Sequence, residues 1–238
     1  MAKRSGAHLT IRLFALAALA AAVAYVEAGA TALAREVAAP ARREHFPQSS
    51  GEAVPVLGAK ELQEIGPAGE MLVRFEQARG AAAVLILAAA ALGIRRRRGE
   101  GLALLLIALG ARTVVYYVAL WVLTGWPGSL GTWDVLLRLP VPAVAPVWAP
   151  LAVAGVMLVA GVIRLGRCAS RLTPTARLGP VAGVVLGVAA IAASFVLRGT
   201  EALKAAPAGF DWPWFVAGWL LLAAGLLWLS LRPAKRGP

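Results

Sequence analysis

Histidine, cysteine and acidic residues are scarce in this chain of 238 residues, and each scarcity excludes something. Cys168 is the only cysteine, so neither an internal disulfide nor a cysteine-based metal cluster can form. His8 and His45 are the only histidines and fall in two separate polar segments. A lone histidine there is ordinarily just solvated, and the apolar runs hold none to ligate haem. A nucleotide-cradling glycine loop, a histidine-rich metal motif and a Gly-x-Ser-x-Gly elbow are also missing. No apolar run carries the paired carboxylates of a protease or proton pump. The chain is therefore expected to need no cofactor and leans away from catalysis.

Charge is scarce too, and mostly of one sign. Only 15% of residues are charged, with 24 Lys and Arg against 12 Asp and Glu, a net of +12. Soluble domains carry about 25% charged and 45–50% apolar residues. Here 60% are hydrophobic and the mean hydropathy is +0.73. A basic excess in a soluble protein would point to nucleic acid. These basic residues sit instead at the ends of apolar runs, with no basic helix face and no interleaved aromatics. Nucleic acid is rejected as a partner, and anionic lipid head groups on the cytoplasmic side are expected.

What the chain has in abundance is apolar length. Six runs, at 9–28, 78–94, 101–123, 145–165, 178–197 and 212–231, approach the 20 or so helical residues that cross a hydrocarbon core. Leu, Ala and Val dominate them without period-two alternation, which specifies helices and not a barrel. The second run is the weakest. It spans if its helix begins near Pro67 and Arg79 snorkels outward, with Glu70 and Arg74 paired at i,i+4. The expected fold is an all-α integral membrane protein, a single membrane domain built as a bundle of about six transmembrane helices.

Four consecutive arginines, Arg95, Arg96, Arg97 and Arg98, separate the second and third runs and mark a short cytoplasmic stop. Threading six spans from a cytoplasmic start puts fourteen basic residues and one acid, Glu100, on that side, and nine basic and eleven acidic residues on the other. Both termini are thus expected in the cytoplasm. The basic start, the apolar run 13–26 and Ala28-Gly29-Ala30 also fit a secretory signal peptide, whose cleavage would leave five spans in the same orientation. The length of the run 9–26 fits an uncleaved anchor better. Alanine and arginine richness suits a GC-rich bacterial genome, and so a bacterial inner (cytoplasmic) membrane.

Residues 29–77 form the expected extracytoplasmic loop of about 50 residues, too polar to build its own core. A second outer segment runs from Trp126-Pro127-Gly128 through Trp133, Leu136, Leu137 and Leu139 to a cluster of prolines. It is expected to form a short interfacial or re-entrant helix ended by Pro140. Gly179, Gly183 and Gly187 recur every four residues and present a flat packing strip. Its partner is either another span, through Gly155 and Gly161 or Gly218 and Gly225, or a second copy of the chain or another membrane protein.

Arg112 lies near the middle of the third run, where a charge costs at least about 2.5–3.5 kcal/mol. Tyr116 is one turn away, and Glu27 and Asp134 are candidate carboxylates. Two readings follow: a buried polar site open to the outer side, or a structural pair that fixes helix register. The expected function is a non-catalytic accessory or assembly component of the membrane. One alternative is a small-solute transporter or channel using the site around Arg112; another is an enzyme on a lipid-linked substrate at the outer face.

Overall fold

The computed structural model describes residues 2–46, 57, 64, 66–97, 100–137, 142–167, 174–199, 201–203 and 209–231. Arg98, Cys168, Pro140 and most of 47–65 lie outside them. Among the described residues the elements are α1 (Ala2–His45), α2 (Pro67–Gly93), α3 (Glu100–Thr124), β1 (Trp133–Leu137), β2 (Ala143–Pro146), α4 (Trp148–Gly166), α5 (Pro174–Val196), a short 3-10 turn (Glu201–Leu203) and α6 (Trp212–Leu231). Five helices are long and apolar enough to cross a membrane. The remaining one, α2, has a shorter apolar part, Ala78–Gly93. The chain is a membrane-embedded helical protein.

Local chemistry sets several of the helix ends. Pro67 occupies the first turn of α2, where its missing amide costs nothing. Gly125 closes α3 at φ 70°, a left-handed conformation open to glycine, and its N–H donates to the Trp121 carbonyl at 2.8 Å.

Neighbouring helices can be read from their contacts. α1 runs parallel to α3, since Arg12 meets Glu100 and Glu27 meets Arg112. α2 lies against both and runs opposite to α1, with Arg79 at the level of Thr31 and Ile94 at the level of Arg12. α3 and α4 are antiparallel, as are α5 and α6, and α4 lies alongside α6. The start of α1 and the end of α6 therefore lie at the same end of the bundle.

Packing is inverted relative to a soluble core. Most buried positions along α1 are small, with Ala20, Ala24 and Ala28 all at 0% exposure, while Phe14, Val26 and Leu33 are each more than 60% exposed. Lipid is as apolar as leucine, so burying a large side chain gains little, whereas small residues let backbones approach. Glycine makes the tightest crossings. A Cβ on Gly187 would stand 2.6 Å from the Leu222 nitrogen, and one on Gly218 2.7 Å from the Gly187 carbonyl oxygen. Gly183 faces the same helix more loosely, 3.7 Å from the Leu221 carbonyl oxygen, while Gly179 meets nothing within 4 Å. Gly161 packs on Ala103 and Ile107 of α3, and Gly110 on Ala154 and Leu158 of α4.

Two expectations need correction. The outer loop does not begin at residue 29: α1 continues to His45, a helix of 44 residues with Pro40 inside it. At 1.5 Å per residue it is about 66 Å long, roughly twice a hydrocarbon core. Ala34, Ala38 and Leu57 pack together on its outer half with Ala41 and Phe46. The segment from Trp133 is not a helix. It is the strand β1, antiparallel to β2, with Trp133 opposite Pro146 and Val135 opposite Val144. Its side chains alternate as a strand requires: Trp133 and Val135 pack on Val144 and Ala202, while Asp134 and Leu136 face other groups.

Candidate functional site

Polar groups gather in a seam between α1 and α3. On α1, Glu27, Thr31 and Arg35 are spaced by four residues and share one face. On α3, Arg112 and Tyr116 have the same spacing. The Arg112 Nε donates to Glu27 Oε2 at 2.6 Å and its Nη2 donates to Glu27 Oε1, a two-pronged pair. Glu27 is buried, at 4% exposure. A guanidinium fork matched to both carboxylate oxygens is the arrangement in which a buried charge pair best offsets its desolvation.

Above this pair the seam continues without a gap. Tyr116 Oη lies 3.2 Å from the Thr31 hydroxyl, to which it donates, and the Arg112 guanidinium stands 5.7 Å from the Tyr116 ring. Arg79 of α2 donates to the Glu27 carbonyl at 3.1 Å and to the Thr31 hydroxyl. Arg79 therefore does not snorkel outward: a carbonyl and a hydroxyl at its own depth satisfy it where it stands. Asp134, 2% exposed, accepts from Tyr117 Oη at 2.9 Å, from the Val135 N–H at 2.8 Å and from Arg35 at 3.3 Å. Arg35 also lies over the Trp126 ring, 3.7 Å from its centre.

Of the four residues expected to cooperate, Arg112, Glu27 and Tyr116 meet directly or through Thr31. Asp134 belongs to the same seam but binds Arg35 and Tyr117. Thr31, Arg35, Arg79 and Tyr117 were missed. The repeat Glu27, Thr31, Arg35 was the available signal, since three polar residues four apart on one helix must share a face.

At the opposite end of the bundle, Glu100 pairs with Arg12 at 3.2 Å. Arg164 and Arg167 donate to the carbonyls of Leu229 and Leu231 at 2.9 and 2.6 Å, satisfying the last turn of α6. At the seam's end of the bundle, beyond α5, Arg198 pairs with Glu201 and Asp211. The hydrogen bonds that Arg198 donates, to Glu201 first and then to Asp211, raise its pKa above the ordinary value.

Two cavities are walled by carbon. One, of about 350 Å³, lies among Tyr117, Val118, Trp121, Leu130 and Leu151. The other, of about 260 Å³, lies between α4 and α6 beside Gly155 and Trp219. Neither is lined by Glu27, Arg112 or Asp134. No group of three or more metal-binding side chains occurs among the described residues.

Comparison with known proteins returns no match: no family model fits the chain, and no curated protein or solved structure is similar to it. The functional reading rests on this geometry.

Proposed function

We propose that the chain is a non-catalytic accessory or assembly component of the cytoplasmic membrane, with six spans and both ends in the cytoplasm. The observation that carries the non-catalytic part is the double hydrogen bond between Arg112 and Glu27. It engages both carboxylate oxygens and two guanidinium nitrogens with each other, which supports a structural pair over a site held ready for solute. A transporter or an enzyme working through Arg112 would need it to face an open cavity. The neighbouring hydroxyls of Thr31, Tyr116 and Tyr117 are likewise engaged with one another or with Asp134.

The sixth span in this reading is α2, whose apolar part runs between the level of Thr31 and the level of Arg12. The orientation rests on the basic excess at the end holding Arg12, Arg95 to Arg97, Arg164 and Arg167. Thiol labelling tests both. In a Cys168→Ala background, Ser129→Cys is expected to react with a membrane-impermeant maleimide on intact cells, and Arg97→Cys only after permeabilisation. The reverse pattern overturns the orientation. Glu64→Cys, at an exposed position just before α2, is expected to label like Ser129→Cys, and labelling of Glu64→Cys and Arg97→Cys from the same side overturns α2 as a span. The assembly role is tested by cross-linking in native membranes. A stoichiometric adduct with a second membrane protein or a second copy is expected, and a chain that stays monomeric there overturns it.

A further inference from the structure

The turn between α2 and α3 holds the densest charge in the chain, and it is built around one carboxylate. Glu100 is buried at the start of α3, and its Oε2 accepts the backbone N–H groups of Arg96 at 2.7 Å and Arg97 at 3.1 Å. Arg12 donates to the same oxygen at 3.2 Å and to the Ile94 carbonyl at 2.9 Å. A single acid therefore ties the turn's backbone to α1. Arg95, Arg96 and Arg97 are exposed and make no ion pair among the described residues, and the Arg95 side chain lies alongside Gly101 at the start of α3. Leu165 and Ile94 both pack against the cluster that holds Leu104, which brings Arg164 and Arg167 to the same end of the bundle. Those two donate to the end of α6, whereas the turn's arginines are exposed.

We infer that Arg95, Arg96 and Arg97 form a defined binding site for the phosphate of an anionic phospholipid head group, shaped by Glu100. The turn joins the ends of apolar helices, which is the depth at which head-group phosphates lie. Guanidinium groups match phosphate oxygens in pairs, and a turn already pinned by three hydrogen bonds loses less freedom on binding than a loose basic run. Glu100 is the discriminating residue. A negative charge among arginines weakens any diffuse attraction for anions, so its place at the centre of the turn is explained by geometry and not by charge. The inference rests on the membrane residence proposed above, and on neither the orientation nor the assembly role.

The test uses the full chain in nanodiscs of phosphatidylcholine containing a titrated fraction of phosphatidylglycerol, with retained lipid counted by native mass spectrometry. Retention is expected to saturate at a small fixed number of phosphatidylglycerol molecules per chain. Arg95→Gln, Arg96→Gln or Arg97→Gln should each weaken it about fivefold, the effect of one arginine near an anionic surface. Glu100→Ala removes both the negative charge and the oxygen that holds the turn. A diffuse attraction then strengthens or holds, which overturns the proposal, whereas a built site weakens. Should Glu100→Ala not fold, the three arginine variants are compared with a charge-matched control, Lys235→Gln. Equal losses in all four overturn the proposal, and losses confined to the turn support it. Inorganic phosphate at millimolar concentration is expected not to displace the lipid; displacement would reassign the site to a free anion. Lipid retention is read on the isolated chain, so its failure leaves the cross-linking result untouched.

Discussion

Arg112 costs free energy wherever it sits within a span, and Glu27 is what makes it tolerable. Removing one partner strands the other. Arg112→Leu is expected to destabilise the fold by about 3–5 kcal/mol, the usual cost of breaking a buried pair. The double variant Glu27→Leu/Arg112→Leu should recover most of that loss, because two apolar groups leave no unmet charge. Thermal unfolding of both variants in detergent measures the difference, and a double variant no better than the single would mean that the seam needs its polarity. Tyr117→Phe removes a buried donor to Asp134 and should cost about 1 kcal/mol in the same assay. Arginine pairs give little pH dependence near neutrality. The raised pKa of Arg198 leaves it charged throughout the neutral range, so its own titration is not expected to change stability there, as thermal unfolding across that range checks.

At the scale of elements, small residues decide which helices meet. The four-residue glycine spacing on α5 was legible in the sequence, but its use along the strip is unequal. Gly187→Leu should disrupt the α5–α6 crossing, since its Cβ would strike backbone at 2.6 Å, whereas Gly179→Leu enters open space. Overpacking of this kind costs about 1–3 kcal/mol. Comparing the melting temperatures of the two variants checks it: equal tolerance would mean that the crossing is looser than it stands. The hairpin was not legible. Trp133, Leu136 and Leu137 fit one face of a short helix on paper, and only pairing with Ala143–Pro146, together with the donors around Asp134, selects the strand. The length of α1 was legible only in part: Leu33 to Val37 fits an extension of the first span, whereas the polar residues from there to His45 read as loop until α2 is seen to lie alongside.

At the scale of the whole molecule, α3 is the joint. Leu104 and Ala108 belong to the cluster with Leu16, Ala20, Leu87 and Ala91, while Leu106 belongs to the cluster with Ala149, Ala160, Phe215 and Leu222. The seam lies on one side of this joint, and the Gly110 and Gly161 crossing holds the other. Gly161→Leu should therefore part the two halves, and gel filtration in mild detergent is expected to show loss of the monodisperse species.

Composition, run lengths and the positions of arginine determined that this is a helical membrane protein, since a bilayer admits few ways to satisfy a backbone and penalises charge by depth. The candidate site was half legible: a mid-span arginine demands a partner, and Glu27 was in range. Which carboxylate answered, which further groups joined, and that Glu100 sits inside the arginine turn were decided only by the tertiary structure. Those pairings depend on the register of one helix against another, which packing sets and no single helix records.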